Sequence, residues 1–122
     1  MIKLEHVSKT YQTGVPALTD ISLHIHPGEF VFVTGASGSG KSTLIKLILD
    51  ELQPTKGKIT VNGKNLSHIS HRGIPLYRRN IGCVFQDFRL LPDRNVYENV
   101  AFAMKVVEAS NREIRKKVPQ VL

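Results

Sequence analysis

Three observations predict an α/β fold. A short β-prone run, Phe30-Val31-Phe32-Val33-Thr34, leads straight into the stretch Gly35-Ala36-Ser37-Gly38-Ser39-Gly40-Lys41-Ser42. A helix-prone run over residues 44–49 leads straight out of it. Upstream, residues 2–7 and 18–25 alternate apolar and polar side chains, the mark of half-buried strands. Strand, glycine loop and helix, with the spacing G-x-x-x-x-G-K-[ST], form the pattern of a phosphate-binding P-loop. The expected architecture is a P-loop α/β core with an antiparallel β layer beside it.

The elements follow in order. Two alternating strands come first, and Pro27-Gly28 makes a turn after the second. The run 30–34 is the P-loop strand. The P-loop helix is expected from about residue 40 to residue 51, stopping before Pro54. Lys58-Ile59-Thr60-Val61 reads as a strand closed by the Asn62-Gly63 turn. Residues 64–80 are polar and read as irregular, and residues 80–86 read as another buried strand. Asn95, with Glu98 three residues on, caps a helix over 96–107 that is apolar on nearly every side and so predicts burial on more than one face. Ser110 and Glu113 form a second capping box, opening a helix that runs to the end, with Pro119 as a kink or boundary within it. The last residues, Val121-Leu122, lack a polar tail, so the chain is expected to stop inside an element.

The loop has a definite chemistry. Backbone N–H groups converge on one point, and the following helix aims its positive end there. Glycines at 35, 38 and 40 permit backbone angles that side chains block, and let phosphate oxygens approach. With Ser37 and Ser39 they are the loop residues expected around the phosphates of ATP. Lys41 is expected on the β- and γ-phosphates, the Ser42 hydroxyl on Mg²⁺, and Thr43 on the next phosphate. A flexible Gly/Ser linker has a similar composition but is not found between an apolar strand and an apolar helix.

The totals fit this reading. The chain has 122 residues, 41% hydrophobic and 22% charged, which suits one globular domain. No stretch approaches the roughly 18 apolar residues of a membrane span, and charge near the start argues against a signal peptide. A cytoplasmic location is the expectation. The one cysteine, Cys83, is expected in the core. Net charge is +7, with basic clusters at Arg72, Arg78 and Arg79 and over residues 105–117. Nucleic acid or an anionic membrane surface could meet such charge. No aromatics interleave with it, which disfavours nucleic acid, and a solvated face is the simpler expectation.

A P-loop NTPase also needs a second carboxylate that holds Mg²⁺ from a neighbouring strand, the Walker B acid. Asp50-Glu51 after residues 47–49 imitates one. Asp50 lies nine residues past Lys41, so about 13 Å farther along the helix, and reads as its polar end. No other apolar run ends in an acid pair. His24 and His26 share a strand face, and His68 and His71 share a loop, but further metal ligands are lacking nearby, and ordinary exposed histidines are expected.

The order of parts resembles the first half of an ABC transporter nucleotide-binding domain, over essentially the whole chain. Tyr11 stands thirty residues before Lys41, Pro54-Thr55-Lys56-Gly57-Lys58-Ile59 follows the P-loop helix, and Ile81-Gly82-Cys83-Val84-Phe85-Gln86 comes after. The resemblance implies that Tyr11 stacks on adenine, that Ala17 packs on the ribose, and that Gln86 is the Q-loop glutamine. Gln86 would touch Mg²⁺ or the attacking water and link the site to a membrane partner. It makes residues 1–87 the β layer and P-loop core, and 88–122 the Q-loop and start of a helical subdomain. The stretch from Gln86 to Val100 is similar to the cell-division branch of the family; the lipoprotein-release and macrolide-export branches share the P-loop. The resemblance further implies an ATP-bound sandwich dimer, a membrane-protein partner docked near Phe88, Leu90, Leu91 and the helix from Val96, and a place on the inner face of the cell membrane. Signature motif, Walker B, catalytic glutamate and switch histidine belong to the family's C-terminal half and are not among these residues, so nucleotide binding without turnover is expected.

Overall fold

The computed structural model describes all of residues 1–122. It divides into two compact units, residues 1–78 and 79–122.

The first unit is built on a four-stranded antiparallel sheet in the order β2-β1-β3-β4: β1 Ile2–Thr10, β2 Pro16–Ile25, β3 Lys56–Val61 and β4 Lys64–Asn65. Rows of aliphatic side chains set the register. Ile2 faces Ile25 and Val61, Leu4 faces Leu23 and Ile59, and Val7 faces Ile21. Leu4, Val7, Ile59 and Val61 are buried. The sequence alternates only as far as Glu5, because His6 is an extra residue. His6 has φ 49°, and the ladder shifts register between Leu4 and Val7. That bulge returns Val7 to the buried face. Asp20, also at φ 49°, does the same for β2, and its carboxylate pairs with His6 Nδ1 at 2.8 Å. Gly57 sits against the bulge at φ 89°, where a Cβ would lie 2.3 Å from the His6 carbonyl oxygen. Only glycine fits there. The β3–β4 turn places Asn62 at φ 47° and Gly63 at φ 79°, the two left-handed residues of a tight hairpin.

Helix α1 spans Lys41–Ile48 and buries Thr43, Leu44 and Leu47. It ends in a Schellman motif. The Glu51 N–H donates to Lys46 O at 2.8 Å, and the Asp50 N–H to Leu47 O at 3.1 Å. Asp50 holds the left-handed position that glycine usually fills, at φ 56°, and is buried. It is therefore not a solvated helix end, and its Oδ2 has no hydrogen-bond partner. Residues 64–80 are more ordered than their polarity suggests. Two 3₁₀ turns, Leu66–His68 and His71–Gly73, precede helix α2, Ile74–Arg78, which buries Tyr77.

Two expected strands do not form. Residues 30–34 carry no ladder, and Phe30 and Phe32 are 83% and 81% exposed. Residues 80–86 carry none either; Val84 is 96% exposed, and Cys83 is exposed rather than in a core. A strand apolar on both faces is stable only with neighbours on its edges and layers on its faces. The only ladders in this chain are β1 with β2, β1 with β3, and β3 with β4.

In the second unit, helix α3 spans Val96–Val106 and helix α4 Asn111–Val121. Both capping boxes form: Asn95 accepts from the Glu98 N–H at 2.9 Å, and Ser110 from the Glu113 N–H at 3.3 Å, each glutamate returning the bond. Ala101, Ile114 and Val118 make a small core, with Val100, Met104 and Ala109 packed against it. Helix α3 is buried at one residue only, not on several faces, because α4 offers a single narrow stripe. Helix α4 continues through Pro119 to Val121. So near the C-terminus, proline removes only the bond to the Arg115 carbonyl.

Candidate nucleotide site

The P-loop is set by backbone geometry. Gly38 and Gly40 have φ 78° and 95°. Gly40 is the N-cap of α1, with no side-chain cap bond, and its carbonyl accepts from the Leu44 N–H at 2.9 Å. A Cβ at Gly40 would lie 2.5 Å from Ala17 O and 2.7 Å from Leu18 Cδ2. The glycine therefore lets the start of β2 pass against the loop. A Cβ at Gly35 would lie 2.5 Å from Ser39 Oγ and 3.8 Å from Lys41 Nζ, filling the cradle. Lys41 Nζ donates to Gly35 O at 2.6 Å, Ala36 O at 2.7 Å and Ser39 Oγ at 3.2 Å. The loop thus folds around an ammonium group whose N–H donors can exchange these loop acceptors for phosphate oxygens.

Tyr11 opens the turn after β1, its N–H bonded to Val15 O at 3.0 Å. Its hydroxyl shares a 2.9 Å hydrogen bond with Thr43 Oγ1, and Lys9 Nζ stands 6.0 Å from its ring centre. Tyr11, Ala17, Gly35, Gly40, Lys41 and Thr43 are therefore brought together, although thirty residues separate the aromatic from the lysine. The Tyr11–Thr43 bond was not legible in the sequence, because it depends on folding that brings the turn after β1 to the first turn of α1. Ser42, on the first turn of α1, is exposed. Gln86 lies in an exposed turn of the second unit.

Around that turn, residues 90–100 form a cavity of about 340 Å³ lined by Leu90, Leu91, Pro92, Arg94, Val96, Asn99 and Val100. Asn99 shapes it: its amide accepts from the Leu91 N–H at 2.8 Å and donates to the carbonyls of Leu91, Arg94 and Asn95 at 3.0–3.2 Å. Phe88 is exposed, and the Arg89 guanidinium lies 3.7 Å from the Phe85 ring centre. No group of three or more His, Cys, Asp or Glu residues could hold a metal ion. No helix is long and apolar enough to cross a membrane.

A strand layer, a glycine loop closed around a lysine and an aromatic hung over the following helix define an ATP-binding cassette, and the comparisons agree. The ABC transporter family model matches residues 18–121, and the chain belongs to that family. It is 54% identical over all 122 residues to the cell division ATP-binding protein FtsE of Bacillus subtilis (strain 168), and 47% identical to that of Escherichia coli (strain K12). It spans 54% and 55% of their lengths, about half of each. Among solved structures it is similar to the dimeric post-hydrolysis form of the ATP-binding cassette MJ0796 bound to ADP and Pi. The TM-score is 0.88 at 35% identity, covering 98% of this chain and 55% of that one. CbiO1 from Clostridium perfringens, part of the ABC transporter complex cbiONQ, gives a TM-score of 0.82 at 35% identity, covering 98% of this chain and 47% of that one.

Proposed function

We propose that this chain is the ATP-binding portion of an FtsE-like ABC ATPase. With the membrane protein FtsX, the whole protein couples ATP binding and hydrolysis to cell division and to activation of cell-wall hydrolases. The observation that carries the reading is Lys41, held in its glycine cradle with Tyr11 tied to the same helix through Thr43. Phosphate oxygens take the loop N–H groups and the Lys41 ammonium, and the adenine stacks on Tyr11 with the ribose at Ala17. Gly35, Ser37, Gly38, Ser39 and Gly40 line the phosphates. The Ser42 hydroxyl, exposed on the first turn of α1, suits Mg²⁺, a hard cation that takes oxygen ligands; Ser42, with Gln86 in the whole domain, would hold it, and bound Mg²⁺ would neutralise phosphate charge.

Residues 1–87 act as the β layer and P-loop core of the whole domain, and residues 88–122 as the Q-loop and start of its helical subdomain. FtsX docks at the cavity between Leu90 and Val100, where apolar side chains and Arg94 line a shaped surface. Two copies close on two ATP molecules at the inner face of the cell membrane. These 122 residues bind nucleotide without turning it over, since no second carboxylate stands beside the loop. ATP with Mg²⁺ is expected to raise the melting temperature by binding only the native state. Lys41→Ala is expected to abolish that rise, and an undiminished rise in the variant overturns the assignment. Sustained phosphate release by the purified chain overturns the binding-only reading.

A further inference from the structure

Helix α1 carries the phosphate site at one end, yet it has only eight residues. Helices so short are marginal on their own, so the direction of this one must be fixed by other contacts. At its first turn the N-cap is a glycine without a side-chain cap bond, and one side-chain hydrogen bond, Tyr11 to Thr43, reaches it. The other end differs. Every carbonyl from Lys46 to Asp50 accepts a hydrogen bond. The Schellman motif satisfies Lys46 and Leu47. The remaining three are taken by α2: Tyr77 OH donates to Ile48 O, Arg78 Nε to Leu49 O at 2.8 Å, and Arg78 Nη2 to Asp50 O at 3.0 Å. Tyr77 is buried, so its ring holds the hydroxyl in place. The Arg78 guanidinium bridges two successive carbonyls with a planar fork that a lysine cannot reproduce. It also places a positive charge at the negative end of the helix.

We infer that Tyr77 and Arg78 are positioning residues for the phosphate site: they clamp the C-terminal end of α1, and so fix the direction in which its N-terminal amides and Lys41 present themselves. Neither touches the loop. They lie 36 and 37 residues beyond Lys41 in the chain, and the sequence showed Arg78 only as part of a basic cluster. A helix about 12 Å long behaves as a lever. A small tilt at the carbonyl end moves the amides of residues 42–44 across the cradle, where phosphate oxygens tolerate little misplacement. This inference rests on the nucleotide-binding reading for its consequence, but the clamp itself can be tested without nucleotide.

The test uses Tyr77→Phe, which keeps the buried ring, together with Arg78→Gln and Arg78→Lys. Hydrogen exchange is followed on the nucleotide-free protein. The Leu44 and Ile45 amides, in the first turns of α1, are expected to exchange several-fold faster in Tyr77→Phe and Arg78→Gln. If only amides near Asp50 and Glu51 speed up, the contacts are a local cap and the inference falls. Inorganic triphosphate with Mg²⁺ is then titrated at a temperature where each variant is fully folded. Affinity is expected to fall about threefold or more in Tyr77→Phe and Arg78→Gln, with partial recovery in Arg78→Lys. A merely structural role lowers the melting temperature and leaves that affinity unchanged, which also overturns the inference. Should Arg78→Gln fail to fold, Tyr77→Phe decides alone. Failure of the nucleotide-binding reading looks different: the wild-type protein ignores triphosphate, while the exchange of the first-turn amides still responds to the clamp.

Discussion

Residues 30–34 are more apolar than β1, β2 or β3, yet they alone of these four segments carry no ladder. Strands β1, β2 and β3 are amphipathic and antiparallel, and they meet one another within the first 61 residues. Each buries one face and leaves the other in water, so a single sheet satisfies them. The run Phe30-Val31-Phe32-Val33-Thr34 is of the kind that needs neighbours on both edges and cover on both faces. Residues 80–86 behave alike. High β propensity therefore measures what a segment could bury, and pairing decides whether it does.

Substitutions can break or sharpen that contrast. The largest effect is expected where paired strands cross the His6 bulge. Gly57→Ala drives a Cβ into the His6 and Glu5 carbonyls at a left-handed backbone position and is expected to cost about 3 kcal/mol or more. Val84→Thr and Phe32→Ser, in the unpaired segments, are expected to stay within about 0.5 kcal/mol. Urea denaturation of the three variants tests this; a cost for Val84→Thr close to that for Gly57→Ala means that residues 80–86 are packed after all.

The helices of the second unit depend on their caps where the sheet depends on its ladders. Asn95→Ala and Ser110→Ala each remove the side-chain half of a capping box and are expected to cost about 1 kcal/mol, seen as earlier loss of helical circular dichroism on heating. Asp50→Gly runs the other way. It relieves a left-handed non-glycine residue and removes the buried, unpartnered Oδ2, so stability is expected to rise by up to about 1 kcal/mol. A drop in melting temperature there shows that the Gln53 amide bond to Asp50 outweighs both terms.

The smallest effects are in pH. Hydrogen bonds from the Ser110 hydroxyl and N–H hold the Glu113 carboxyl below its usual range. Its folded pKa is depressed, so its contribution is present above the ordinary carboxylate range and lost as pH falls through the folded value. Glu113→Gln is expected to flatten the acid side of a stability profile slightly. Burial first, and then the Asp50 charge, push the Tyr77 hydroxyl up to about 12. That contribution is complete below the ordinary tyrosine value of about 10 and disappears as pH rises toward 12. Tyr77→Phe is expected to remove this alkaline loss; an unchanged alkaline profile shows that Tyr77 does not titrate with unfolding.

The sequence was legible where the physics is local. The P-loop spacing, both capping boxes, the Asn62-Gly63 hairpin and the first two strands each depend on residues within a few positions of one another. The site was legible in the same degree. Glycines 35, 38 and 40 announce a cradle because backbone freedom belongs to the residue itself. The role of Gly57 was not legible, since a bulge at His6, some fifty residues earlier, creates the need for it. Nor was the burial of Asp50, which follows from α2 folding back over the end of α1.

By itself, then, the sequence determined the local grammar of this protein: which segments turn, cap and alternate, and where the glycine loop lies. Only the tertiary structure decided which apolar runs find partners, that Tyr11 reaches Thr43, and that Tyr77 and Arg78 bond the carbonyl end of α1. The reason is that backbone angles and caps are chosen by near neighbours, whereas ladders, burial and carbonyl satisfaction need groups that only folding brings within hydrogen-bond reach.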